Sequence, residues 1–304
     1  MHLVTFRRGR GEPKLGAAWH ERVLDLGGLA KELAAQRGAI RRGRGGFPRT
    51  MLELIQGGEA TLNVAREAWE YGKRLADQQA IEELAKRRLA YPLKRVRLLA
   101  PIPSPARNIF CLGRNYADHA VERGAAVPEH PVYFTKPGTA VVGPGDEVVQ
   151  HAITKELDHE VELAVVIGKR ANNVAAADGY AYVAGYAIGL DITIRGPEER
   201  SLRKSPDSYA VLGPWLVTPD EIPDPGALNL RISVNGEERQ NSNTKYLILG
   251  VPELIEYASS FYTLNPGDVI ITGTPEGVSP IQPGDVITAC IERIGTMDVH
   301  VRAA

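Results

Sequence analysis

Two glutamates stand two residues apart in Leu157-Asp158-His159-Glu160-Val161-Glu162-Leu163-Ala164-Val165-Val166-Ile167, whose β-branched text predicts a strand. Residues i and i+2 leave the same face of a strand, roughly 7 Å apart at their bases. The carboxylates of Glu160 and Glu162 can therefore converge on one cation, and without one they repel each other. An exposed polar strand face gives the same alternation. Against that stands the run Ala164-Val165-Val166-Ile167, apolar on both faces, because carboxylates beside such a run are costly unless paired or metal-bound. Spacing alone leaves both readings open. A second predicted strand, Gly185 to Arg195, puts Asp191 on one face with Ala187 and Gly189, leaving room beside it for an ion or ligand. An Asp191–Arg195 pair on a half-exposed strand explains it equally well. Three carboxylates without a nearby His or Cys set suit a hard ion, Mg²⁺ or Mn²⁺, completed by water and substrate oxygens.

A third segment, Gly113-Arg114-Asn115-Tyr116-Ala117-Asp118-His119-Ala120-Val121-Glu122, reads as a helix beginning at Asn115, with Asn115 as its N-cap. His119 and Glu122 then share a face at i and i+3. A carboxylate beside an imidazole fixes its tautomer and raises its basicity, as a water-activating pair requires; a surface helix pair has the same spacing. His151 and His159 are expected on polar strand faces. In Thr272-Gly273-Thr274-Pro275-Glu276-Gly277-Val278, a tight loop offers N–H groups and the Thr274 hydroxyl to an anion, though any β protein has such turns.

These residues need scaffolding, and the text changes at one place. Residues 3–7, 15–19 and 22–26 read as strands, 47–56 as a helix start, and 59–90 as helix, together a small α/β domain over 1–100. Three prolines in Pro101-Ile102-Pro103-Ser104-Pro105 mark an extended boundary. Beyond it, over 101–304, short runs rich in Val, Ile and Thr alternate with Gly and Pro, arguing for a mainly antiparallel β architecture. Gly143-Pro144-Gly145-Asp146, Asn265-Pro266-Gly267-Asp268 and Gln282-Pro283-Gly284-Asp285 each predict a type II turn, and Asn235-Gly236 a hairpin. The fold class expected is mainly β with α.

The 304 residues, 43% hydrophobic and 24% charged, are ordinary globular text. No apolar run approaches the roughly 20 residues that span a bilayer, and the N-terminus does not read as a signal peptide. Two cysteines, Cys111 and Cys290, in no metal-type spacing exclude a disulfide framework and fit a cytoplasmic setting. Lys and Arg outnumber Asp and Glu by 20 to 11 over residues 1–100, and the rest reverses this at 16 to 26. The basic residues are scattered, apart from Arg41-Arg42-Gly43-Arg44, and no aromatics interleave them, so neither a nucleic-acid nor a membrane partner is expected.

Together the blocks NIFCLGRNYADHA (108–120), PVYFTKP (131–137), LDHEVELAVVIGKR (157–170), GYAIGLDITIR (185–195), GPWLVT (213–218) and GDVIITGTPEGV (267–278) resemble, in order, the fumarylacetoacetate hydrolase family over about 100–304. Residues 1–100 look more loosely like the small N-terminal domain of its longer bacterial members. The resemblance implies a catalytic domain built as a rolled mixed β-sheet, a homodimer, and a divalent ion held by Glu160, Glu162 and Asp191. It implies a His119–Glu122 dyad on a lid segment, substrate contacts from Lys204 and Thr274, and a weaker one from Arg114. This sequence departs from the pattern at Leu190 and Gly196, where Asn and Asp are commoner, at His159, where Tyr is, and in the charged stretch 196–210.

The chemistry implied is cleavage of a C–C bond in a 2,4-diketo, acylpyruvate-type acid through a metal-stabilised enolate, with water activated by the dyad. A decarboxylase or isomerase of a ring-cleavage 2-oxo dicarboxylate would use the same enolate, and the motifs do not choose. A non-catalytic metal–carboxylate binding protein would have no use for a general base such as His119.

Overall fold

The computed structural model describes residues 1–38, 46–78, 81–122 and 129–304. The basic cluster Arg41-Arg42-Gly43-Arg44 lies outside the described residues. The chain is mainly β with helices. It opens with the strands His2–Arg7, Lys14–Trp19 and Arg22–Asp25. Asp25 then caps the helix Leu26–Gln36 by accepting from the Gly28 N–H, and Thr50 caps Met51–Gln56 through the Glu53 N–H. The Ala/Leu/Glu-rich stretch forms the helices Gly58–Gln78 and Ile81–Lys86. It stops short of the expected residue 90, because Arg88 turns into left-handed backbone and Ala90–Pro92 pairs as a strand with Arg22–Asp25.

Among the described residues, twelve strands form one mixed sheet. From the edge strand Ala90–Pro92 the order runs through Arg22–Asp25, Lys14–Trp19 and His2–Arg7 to Ala210–Val217, Val183–Asp191, Val161–Ile167, Val269–Ile271, Ile109–Gly113 and Val132–Lys136. Pairing of His2 with Val217 joins the N-terminal strands to those that carry the candidate ligands. Both faces of the central strands are covered. Leu163, Val165, Ile188 and Leu190 face a core shared with Leu230, Ile232, Ile287 and Val299 of a five-stranded sheet. Ala164, Val166 and Ala187 face a second core containing Leu26, Leu29, Leu54 and Trp69 of the N-terminal helices. Burial from both sides is why these strands read as nearly continuous apolar runs.

The Pro-Gly-Asp turns differ among themselves. Gly267 and Gly284 take the positive φ of type II turns, but Gly145 does not. Its turn closes through the same Asp146 N–H to Gly143 carbonyl bond at 3.0 Å. A side chain on Gly145 would instead meet the Leu98 carbonyl at 2.6 Å, so there glycine serves close packing. In all three turns the Asp side chain accepts the backbone N–H three residues before it, at 2.8–2.9 Å. Asn235 and Gly236 both take positive φ, as a type I′ hairpin requires. Among the described residues no helix is long and apolar enough to cross a membrane.

Candidate metal centre and its dyad

Antiparallel pairing of Val161 with Leu190 and of Glu162 with Gly189 sets Asp191 opposite Glu160, and the Asp191 N–H donates to the Glu160 carbonyl at 3.0 Å. Cross-strand partners share a face. Glu160, Glu162 and Asp191 therefore project together, fully buried, and each offers an oxygen within 4.8 Å of the others. Octahedral ligation at about 2.1 Å puts opposite oxygens about 4.2 Å apart, so small rotations bring this all-oxygen set onto one Mg²⁺ or Mn²⁺ ion. The donor chemistry fits.

Each carboxylate has one oxygen held by its own donor. Arg195 donates to Glu160 Oε1 at 2.7 Å and to Asp158 Oδ2 at 2.5 Å. The Gly273 N–H donates to Glu162 Oε2 at 2.6 Å, and Lys136 Nζ to Asp191 Oδ1 at 2.5 Å. Lys204 Nζ reaches Glu160 Oε2 at 3.0 Å, Asp191 Oδ2 at 2.5 Å and Thr193 Oγ1 at 2.7 Å. The electrostatics follow this wiring. Burial would raise the Glu160 pKa, but Lys204 and Arg195 hold it down to about 2. Among the described residues Glu162 has no cation in contact, and burial, Asp191 and Glu160 push it well above the ordinary carboxylate range. A divalent ion held there would relieve that cost. Burial lowers the Lys136 pKa against the pull of Asp191, whereas Lys204, also buried, is raised by Asp191 and Glu160.

The second group is brought to the first by one loop. The helix Ala117–Glu122 starts later than expected, and Asn115 does not cap it. Its amide instead donates to the carbonyls of Thr272 and Leu249, at 2.8 and 3.0 Å, and accepts from the Leu249 N–H. His119 is buried, with Nδ1 3.3 Å from Glu122 Oε2, and lies near enough to Glu160 to favour its ionised form. Glu122 Oε1 accepts from the Gly277 N–H at 2.9 Å. The glycines of Thr272–Val278 thus each hold a carboxylate, Gly273 that of Glu162 and Gly277 that of Glu122. Both have positive φ, and a side chain on Gly277 would collide with the Arg239 carbonyl.

Of the remaining sequence candidates, Thr274 is buried in this loop, and Lys204 ends the short helix Arg200–Lys204 with its ammonium over the Phe134 ring, 5.0 Å from the centroid. Arg114 is exposed, on left-handed backbone, close enough to Arg200 for the two charges to repel. Arg195 pairs with Asp158 and Glu160, not with Asp191 as its spacing suggested. His159 is not on a polar face: it is wholly buried between Gln240 and Ser279, and burial keeps it from protonating readily. His151 lies at a turn, its ring 5.8 Å from that of Tyr209. Two further residues, Lys136 and Gln240, join the site without a motif of their own in the sequence. A lysine closing an apolar strand was the one signal for Lys136; for Gln240 there was none.

Residues 108–302 match the family model described as fumarylacetoacetate (FAA) hydrolase C-terminal. The chain belongs to the fumarylacetoacetate hydrolase family. Maleylpyruvate hydrolase of Aquipseudomonas alcaligenes is 52% identical over 235 residues, which cover 73% of this chain and 82% of that one. Oxaloacetate tautomerase YisK of Bacillus subtilis (strain 168) is 40% identical over 269 residues, covering 84% and 87%. The crystal structure of maleylpyruvate hydrolase from Sphingobium sp. SYK-6 in complex with manganese(II) and pyruvate aligns over 100% of both chains, with a TM-score of 0.74 and 34% identity. This chain is accordingly a metal-dependent enzyme of the family.

Proposed function

We propose that the protein hydrolyses a C–C bond in acylpyruvate-type 2,4-diketo acids. The observation that carries this reading is the convergence of three buried carboxylates with a His–Glu pair tied to the same glycine loop. Similarity to a maleylpyruvate hydrolase, and to one solved with manganese and pyruvate, supports it. Held by Glu160, Glu162 and Asp191, a Mg²⁺ or Mn²⁺ ion would supply Lewis-acid polarisation of the substrate's oxygens.

The chain's own residues do the rest. Thr274 donates to the substrate carboxylate, and Arg114 at the rim draws the anion in. Lys204 sets an ammonium where negative charge grows on the 2-oxo oxygen. Glu122 accepts from Nδ1–H of His119, which fixes the tautomer in which Nε2 is the base that takes a proton from water. The water oxygen attacks the remote carbonyl, and the C–C bond breaks with its electron pair going to the three-carbon fragment as an enolate. The proton held by His119 returns to that carbon, giving pyruvate and a free acid. A homodimer, a cytoplasmic setting and a division into 1–100 and 101–304 belong to the same reading.

A panel of acylpyruvates, oxaloacetate and ring-cleavage dienoates with Mn²⁺, followed by NMR, tests it. Pyruvate plus a free acid is the expected result, lost on chelation; turnover indifferent to chelation overturns it. Similarity to the oxaloacetate tautomerase favours a second reading, in which His119 moves a proton between carbon and oxygen and no water attacks. Interconversion of keto and enol forms without a free acid would select that reading.

A further inference from the structure

Gln240 belongs to the strand Glu237–Asn243, whose neighbours on either side are exposed or half-buried, yet Gln240 is 1% exposed. Its amide reaches out of the five-stranded sheet into the site. Oε1 accepts from the Val161 N–H at 3.0 Å, between the two glutamate ligands, and lies 3.3 Å from His159 Nδ1. Nε2 donates to Thr274 Oγ1 and to the Pro275 carbonyl, both at 2.8 Å. The Val161 N–H can only donate and the Pro275 carbonyl can only accept, so the amide has one admissible orientation.

A directional consequence follows. The Thr274 oxygen already receives a hydrogen from Gln240, so the hydroxyl's own hydrogen must point elsewhere, and among the described residues it donates to no protein acceptor. A hydroxyl that accepts one hydrogen bond is also polarised toward donating another. We propose that Gln240 is a positioning residue that fixes the Thr274 hydroxyl as a donor to the carboxylate of a bound 2-oxo acid. The same amide holds the ligand strand and the anion-binding loop at a constant separation. This deepens, and rests on, the function proposed above. A purely structural tie between the sheets would instead affect stability and leave ligand affinity alone.

The test uses the full chain loaded with Mn²⁺, pyruvate as the probe, and separate measurements of pyruvate and Mn²⁺ dissociation constants by calorimetry. Gln240→Glu still accepts from the Val161 N–H but turns Thr274 into a donor toward itself. Pyruvate binding is expected to weaken roughly tenfold to a hundredfold, the range for a hydrogen bond to a charged group. Thr274→Val should match that loss and Thr274→Ser should restore binding. Mn²⁺ affinity should stay within about twofold, and the double variant should be no worse than Thr274→Val by more than about twofold. Gln240→Met adds no charge and should also weaken pyruvate binding; it replaces Gln240→Glu in the cycle if the latter does not fold. Additive losses, or wild-type pyruvate affinity in both Gln240 variants while Thr274→Val is impaired, would overturn the proposal and leave the proposed function standing. No loss in Thr274→Val overturns both the proposal and the carboxylate contact it rests on.

Discussion

The strand pair Val161–Ile167 and Val183–Asp191 is buried at every residue, while Val286–Ile291 and Gly295–Ala303 alternate between buried and more exposed positions. Both pairs are rich in β-branched residues and both carry charges. On the alternating pair those charges face water: Asp298 takes a hydrogen bond from Thr288, and Arg302 meets Glu147 with both side chains about half exposed. By the wide sheet the three clustered carboxylates each have buried or half-buried partners, Arg195 and Lys204 for Glu160, the Gly273 N–H for Glu162, Lys136 and again Lys204 for Asp191. The contrast teaches how to weigh a charge on a strand. Where one face is wet a charge costs little and says little about function; where both are dry it must be compensated, and it persists where chemistry uses it.

The largest expected effect comes from removing a proposed ligand. Glu160→Ala should lower kcat/KM about a thousandfold or more, the loss of several kcal/mol of Lewis-acid stabilisation. Asp298→Ala on the alternating sheet should change it less than about twofold. Equal losses at the two positions would break the contrast. Next in size, Lys136→Met takes one of its two ammonium partners from Asp191, leaving Lys204 alone, and should cost about 1.5–3 kcal/mol in denaturant unfolding with chelator present, the range for a hydrogen bond to a charged group. Breaking the exposed pair with Arg302→Met should cost less than about 1 kcal/mol in the same experiment.

A shift of similar size should accompany ion binding. Free Mn²⁺ at a hundred times its dissociation constant is expected to stabilise the wild type by about 2.7 kcal/mol, read as a rise in melting temperature. Glu162→Ala should abolish most of that rise, and a full rise in the variant would remove Glu162 from the ligand set. The slightest effect concerns His2 on the wide sheet, whose ring lies 5.4 Å from Trp215 and whose pKa is lowered, chiefly by burial. A lowered imidazole pKa means that the unfolded chain binds the proton more tightly. The stability it contributes is present above the ordinary value of 6.5 and is lost as pH falls below it. His2→Gln should flatten that stretch of the pH–stability curve.

Much of the architecture was legible in the residue text. Period-two alternation, apolar runs and turn tetrads locate most strands, and Asn235-Gly236 sets its hairpin, because these signals act over a few neighbouring residues. The prediction for Gly145 failed for a non-local reason, the approach of Leu98. Asn115 departs from expectation for the same reason: its amide can cap a helix or bridge distant loops, and only the packing of Leu249 and Thr272 against it decides. His159 looked polar by alternation but is walled in by Gln240 and Ser279 from elsewhere in the chain.

By itself the sequence determined that Glu160 and Glu162 share a face, that Asp191 has small neighbours on its own, and that His119 can meet Glu122. Each is a consequence of strand or helix period. Which charges compensate those carboxylates was decided only by the tertiary structure, since Lys136, Arg195 and Lys204 lie 35 to 55 residues from the carboxylates they contact, apart from the 13 residues between Asp191 and Lys204. Coulomb attraction and burial act through space, and a pattern of period two or 3.6 carries no record of what the fold brings across.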